Sequence, residues 1–175
     1  MTREEFAGLA VSYLGEVTAY ARRLTRSLSD ADDLTQDTYD RAFRHWNDLR
    51  EPRACRAWLF RIARNVHTDH VRSTAARPEL RLVNSDDCWA PESIVSAETV
   101  ERLDARQLDA TLRRLPDKQR EAVLLADLWG FAYEEIATIM DCPLGTVQSR
   151  IARGRAALVQ LLAADTAGRR KVRGR

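Results

Sequence analysis

The stretch Tyr133–Leu158, YEEIATIMDCPLGTVQSRIARGRAAL, most constrains what this chain can fold into. Leu144, Val147, Ile151 and Leu158 recur at steps of three, four and seven, which puts them on one side of a helix facing a core. The short turn Met140-Asp141-Cys142-Pro143 precedes them, and Pro143 has the fixed φ that suits a helix start. A pair of short helices around a tight turn is therefore predicted. Thr146, Gln148, Ser149, Arg150 and Arg153 lie off the apolar stripe. They are hydrogen-bonding or cationic, the types that read base edges and phosphates in a major groove. The pattern also suits an amphipathic core helix with a solvated basic face, and these residues alone leave both readings open.

Upstream, the apolar spacing stays helical. Residues 3–27 read as one helix, with Phe6, Leu9, Tyr13, Val17, Tyr20 and Leu24 inward. Arg22, Arg23 and Arg26 fall in its last turn, where they complement the dipole. Ser29 or Asp30 is expected to cap a second helix, 30–46. Leu34, Thr38, Ala42 and Trp46 trace one face of it, and Asp33, Gln36, Asp37 and Asp40 form an acidic outer face. That face is either solvated or a docking surface for a basic partner. A polar loop, 47–55, leads to a third helix, CRAWLFRIARNVHTDHVRS, with Trp58, Leu59, Ile62, Ala63 and Val66 buried. Arg61, Asn65, Thr68 or Asp69, and Arg72 form a stripe that can follow a nucleic-acid strand. Trp58 and Phe60 could stack on exposed bases. A Trp in an apolar stripe is more often core.

Residues 74–96 contain two prolines and no sustained period, and read as a flexible interdomain linker in which Trp89, unusual for a free linker, suggests docking onto another surface. Residues 97–114 return to helix, with Val100, Leu103, Leu108 and Leu112 inward. LPDKQREAVLLADLWG then opens with Pro116 in its first turn and closes at Gly130. With no alternating Val/Ile/Thr run and no Asn-Gly hairpin, the fold expected is all-α, two small helical bundles joined by a linker.

Composition excludes several function classes. No run approaches the roughly 18 apolar residues of a membrane helix, and no signal-peptide h-region opens the chain. A cytoplasmic protein with no membrane insertion is expected. The net charge of +2 rules out a bulk polycation. Residues 76–104 carry three Arg against seven Asp or Glu, whereas 166–175 carry Arg169, Arg170, Lys171, Arg173 and Arg175 with no acid, a tail read as a solvated terminus. Cys55, Cys88 and Cys142 are too few and too scattered for a disulfide framework. His67 and His70 form an HxxH pair without a third ligand at motif-like spacing, so neither metal nor cofactor is expected. No paired-carboxylate site, Gly-rich phosphate loop or nucleophile–base motif appears, which argues against an enzyme and a small-molecule substrate.

DADDLTQDTYDRAFRHW followed by CRAWLFRIARNVHTDHVRS resembles region 2 of an extracytoplasmic-function (ECF) sigma factor of the sigma-70 family. LRRLPDKQREAVLLADLWGFAYEEIATIMDCPLGTVQSRIARGRAAL resembles region 4 of the same family. The resemblance implies region 2 over 1–75, a linker over 76–98, region 4 over 99–165 and a basic tail over 166–175. It implies a promoter-selecting subunit of bacterial RNA polymerase. Asp33, Gln36 and Asp37 would dock on the polymerase core. Asn65, Asp69 and Arg72, together with Arg61 and Trp58, would meet the −10 element, with Arg53 and Arg56 near a flipped base. Gln148, Ser149 and Arg153 would read the −35 element, and Thr146, Arg150 and Arg155 would lie nearer phosphate. Leu124, Leu128 and Trp129 would face the polymerase flap, and an anti-sigma factor would be a further partner.

The chain departs from the family pattern in four places. Ala132 stands where a Ser or Thr cap is usual, and Gly154 where Ala is usual, each at an expected cost near ~1 kcal/mol. Asp141 stands where Gly is common, and Asp tolerates left-handed geometry. Gln148 replaces a frequent Lys or Arg and favours an adenine edge. The competing reading is a dimeric helix–turn–helix regulator with the first bundle as dimerisation module. A dimerisation face should be apolar, and the outer face here is charged.

Overall fold

Local chemistry sets the helix boundaries. The computed structural model describes residues 2–25, 27–75 and 105–173, and among them there is no strand. The chain divides into two compact units, the first of residues 1–84 with 138–141 and the second of residues 85–137 with 142–175. The expectations for 76–104, including Cys88, Trp89, Val100 and Leu103, and that for Arg26, lie outside the described residues.

In the first unit, α1 (Arg3–Ser12) opens on a capping box. The Thr2 hydroxyl accepts from the Glu5 N–H at 3.2 Å, and the Glu5 carboxylate accepts from the Thr2 N–H at 2.7 Å. The single helix expected over 3–27 is broken at Tyr13 (φ −96°, ψ 4°), after which α2 (Leu14–Leu24) begins. The Ala10 carbonyl at the break accepts from the Tyr13 N–H at 3.1 Å and from the Tyr39 hydroxyl at 2.8 Å. Phe6, Ala10, Val17, Tyr20 and Ala21 are all buried across it, so the apolar period carries no trace of the kink. Burial pushes the Tyr39 hydroxyl up to about 12.

Helix α3 (Leu28–Arg44) starts earlier than expected. Its cap is Ser27, whose hydroxyl accepts from the Asp30 N–H at 3.0 Å, rather than Ser29 or Asp30. Thr35 and Thr38 sit on its buried face and donate to the carbonyls of Ala31 and Leu34 at 2.7 and 2.6 Å, so neither hydroxyl is stranded. The helix stops at Arg44, and Trp46 falls in a 3-10 turn, Trp46–Asp48. A second such turn, Pro52–Ala54, feeds α4 (Cys55–Ala75). Phe6 gathers the core: it meets Phe43 and Trp58 edge-on at 5.4 and 5.9 Å, while Tyr20 stacks on Phe60 at 4.8 Å.

In the second unit, α5 (Ala105–Leu112) precedes α6 (Asp117–Val123), with Pro116 as its N-cap rather than inside its first turn. A single π turn, Leu124–Leu128, extends α6. Gly130 closes it at φ +65°, and the Phe131 N–H reaches back to the Leu125 carbonyl at 3.0 Å. Helix α7 (Tyr133–Met140) lacks a hydroxyl cap at Ala132 but keeps half a capping box. The Ala132 N–H donates to the Glu135 carboxylate at 2.9 Å. Asp141 takes φ 48°, and the Cys142 N–H donates to the Ala137 carbonyl, a Schellman closure with Asp in the place glycine favours.

Helix α8 (Leu144–Arg173) starts on Pro143, whose carbonyl accepts from the Thr146 and Val147 N–H groups. Val147, Ile151 and Leu162 are buried. Leu144 is 39% exposed, against expectation. Helical side chains tilt toward the N-terminus, so the first residue projects over the turn rather than onto the bundle. The helix runs to Arg173, into the residues read as a solvated tail. On α8, Asp165 takes Arg114 at 3.0 and 3.1 Å, which ties the end of α5 to it.

Gly154 is not a tolerated weakness. A Cβ there would stand 2.6 Å from Val123 Cγ2 and 3.1 Å from the Gln119 carbonyl oxygen, so the missing side chain is what lets α8 lie on α6. Gly154→Ala should destabilise the second unit by about 1–3 kcal/mol through overpacking, despite the better helix propensity of Ala. Adding Val123→Ala should return part of that loss. Thermal melts of the three chains check this.

Candidate nucleic-acid interface

Because α3 buries Ala31, Leu34, Thr35, Thr38 and Ala42, its period leaves Asp33, Gln36, Asp37 and Asp40 exposed on one rigid face. The Asp37 carboxylate lies 3.2 Å from His70 Nε2 of α4, with both side chains about half exposed. His70 thus faces an acid across the α3–α4 contact. No group of three or more His, Cys, Asp or Glu able to hold a metal ion occurs among the described residues.

The stripe expected along α4 is present for Arg61, half-buried, and for Asn65, Asp69 and Arg72, all exposed. Asp69 accepts from Arg41 of α3 at 3.2 Å, which adds to the stripe a cation that the sequence spacing did not include. The upstream candidates divide. Arg53 lies in the exposed 3-10 turn, 3.4 Å from Glu51. Arg56 is committed to the fold: its Nε and Nη2 donate to one Glu16 oxygen at 2.8 and 2.7 Å, and its guanidinium lies 5.9 Å from the Phe60 ring centre. Trp58 is 8% exposed and packs on Phe6, and Phe60 is fully buried against Tyr20. Base stacking by Trp58 or Phe60 is corrected accordingly: both rings face the core because α1 and α2 cover that end of α4.

On α8, Gln148 and Arg153 are exposed, and Thr146, Ser149 and Arg150 are half-buried. Ser149 and Arg153 are four residues apart and share a face. The Ser149 hydroxyl donates to the Thr146 carbonyl at 3.0 Å. Arg150 Nη1 meets Cys142 Sγ at 3.4 Å, across the turn. Arg155 is held by Asp127, with Nε on Oδ2 at 3.1 Å and Nη2 on Oδ1, and that carboxylate raises the guanidinium above its ordinary value. Arg155 is therefore engaged within the bundle rather than turned out with Arg153. Of the apolar trio expected to face a partner, Leu124 and Trp129 are buried and only Leu128, 55% exposed, is displayed. Cys55 is buried, and burial pushes its thiol up to about 11, which makes it a poor nucleophile. Asp127, Glu16 and Arg41 were missed because their partners lie 28 or more residues away, beyond any local spacing.

This arrangement, an acidic helix face beside a donor stripe in one unit and a helix–turn–helix in the other, coincides with known families. The model described as Sigma-70 region 2 matches residues 9–77, and that described as Sigma-70, region 4 matches residues 105–158. The RNA polymerase sigma-H factor of Pseudomonas aeruginosa is 32% identical over 168 residues, 91% of this chain and 87% of the relative. The chain belongs to the ECF sigma factors. The ECF RNA polymerase sigma-E factor of Escherichia coli K12 is 32% identical over 89% of this chain and 85% of its own length. Among solved structures, the sigma factor RpoE bound to the anti-sigma factor NepR, from Bartonella quintana, superposes with a TM-score of 0.73. It is 30% identical and covers 93% of this chain and 99% of that one. In this ECF sigma factor no described helix is long and apolar enough to cross a membrane.

The two arginines near the start of α4 should separate on mutation. Arg56→Ala should lower the stability of the first unit by about 1 kcal/mol, since the pair is partly exposed. Arg53→Ala should stay within about 0.5 kcal/mol of the parent. Denaturant melts of both variants provide the check.

Proposed function

We propose that this ECF sigma factor directs promoter-specific initiation by docking on core RNA polymerase through Asp33, Gln36 and Asp37 and gripping promoter DNA at two points. The observation that carries the reading is the exposed acidic face of α3, set beside the α4 stripe in the same unit and followed by a helix–turn–helix. Several fixed carboxylates favour association with a basic surface and set its register. That face is charged, which also weighs against the dimeric regulator, whose dimerisation face would be apolar.

At the −10 element, Arg53, Arg61, Asn65 and Arg72 supply cations and an amide along one exposed track, with Asp69 aiming Arg41. Arg56 and Trp58 support the track by holding α4 to α1 and α2. Extruding a base costs a few kcal/mol, which such a track must offset. At the −35 element, Gln148, Ser149 and Arg153 are the base readers, with Thr146 and Arg150 flanking them toward phosphate. Gln148 favours adenine and Arg153 guanine. Leu128 is the apolar contact offered to the polymerase flap. RNA synthesis belongs to the polymerase, so the chain needs no catalytic residues, and it works where the polymerase is, in the cytoplasm. An anti-sigma factor that covers these surfaces is the expected negative regulator, consistent with the complex formed by the Bartonella quintana relative.

Asp37→Arg should weaken binding to purified core polymerase while the second unit keeps its melting behaviour; unchanged affinity in gel filtration would contradict the docking assignment. Arg153→Ala should cost about 1–3 kcal/mol on promoters with guanine at the contacted −35 position and relax preference there. Equal losses on every −35 variant would make Arg153 a phosphate contact instead.

A further inference from the structure

We propose that Asp127 and Arg155 are positioning residues that set the α8 reading face, an inference that rests on the −35 reading above. The family resemblance groups Arg155 with the phosphate contacts, but the helix turns it away from Ser149 and Arg153. At about 100° per residue, Arg155 lies roughly 160° around the axis from Arg153, so those two side chains leave α8 on nearly opposite sides, while Gln148, seven residues earlier, lies about 20° from Arg155 and borders the pair. There its fork meets both oxygens of Asp127, with Nε on Oδ2 at 3.1 Å and Nη2 on Oδ1. A bidentate pair fixes direction as well as distance.

Asp127 belongs to the π turn Leu124–Leu128, whose wider winding shifts the side chains that follow α6 relative to a regular helix. One residue before Arg155, Gly154 lies so close to Val123 and the Gln119 carbonyl that a Cβ there would force them to shift. Adjacent residues of α8 thus hold the same partner segment in two unlike ways, by close backbone approach and by a charged fork. Rotation or axial slip of α8 would break both. Gln148, Ser149 and Arg153 sit within two turns on the same helix, and base-edge hydrogen bonds lose strength within a few tenths of an ångström. The pair therefore acts on sequence reading without touching DNA.

The test uses full-length chain bound to core polymerase, with labelled promoter DNA carrying either the preferred −35 sequence or a scrambled one, titrated over salt. Arg155→Ala and Asp127→Ala should each reduce the preference for the intact −35 element about fivefold, the double variant should lose no more than either, and the Asp127→Arg/Arg155→Asp exchange should restore most of it. The salt slope should not change, because no phosphate contact is removed. A flatter slope for Arg155→Ala, with Asp127→Ala neutral or tighter binding, would overturn the proposal and make Arg155 a phosphate ligand. If the Ala variants do not fold, Asp127→Asn and Arg155→Lys keep the volume and should show smaller losses in preference; full retention by both would overturn it equally. A parent chain with no −35 preference would instead contradict the underlying −35 reading, a failure visible before any variant is measured.

Discussion

A helix that reads DNA must be held firmly by one side while the other stays free, and the short helices packed against α8 have few side chains to do the holding. In the second unit the burden falls on Val147 and Ile151, on the Gly154 approach and on the Arg155–Asp127 pair. Full burial of Val147 and Ile151 contributes about 1.5–3 kcal/mol each. The approach at Gly154 brings α8 close enough for the other contacts to form. A glycine inside a helix costs about 1 kcal/mol in propensity, and here that cost is offset by a close approach that a larger residue would strain.

The first unit solves the same problem with different chemistry. Its inner faces carry an aromatic cluster around Phe6, and the two buried threonines of α3 bond back into their own helix, so the buried side of α3 strands no hydroxyl. The Glu16–Arg56 pair holds α2 to α4. The kink at Tyr13, stitched by the Tyr39 hydroxyl, lets two short helices follow the core where a straight one would not. What remains outside, Asp33, Gln36 and Asp37 on α3 and Asn65 and Arg72 on α4, is polar and rigidly presented, which is what docking and strand tracking require.

Helix positions were legible from apolar spacing because burial of one face dominates helix placement. The inward residues of α4 fell where the period put them, as did Leu34, Thr38 and Ala42 of α3, whereas Trp46 fell past the end of that helix. The αL turn at Asp141 was legible too, because few residues tolerate that geometry. The kink at Tyr13 was not, since the heptad step from Ala10 to Val17 keeps the apolar face continuous through it. Long-range pairing was the larger blind spot. Arg56 and Arg155 look like DNA ligands by residue type, and only tertiary structure gives each a carboxylate partner. Trp58 shows the reverse: the apolar period marked it as core, and that reading was the better guide.

Run-off transcription with purified core polymerase on a pool of genomic fragments tests the central claim most directly. The account predicts discrete start sites that require this chain, each preceded by a −35 and a −10 element at one fixed spacing. Transcription no higher than with core polymerase alone, together with binding of the free chain to palindromic DNA, would contradict it.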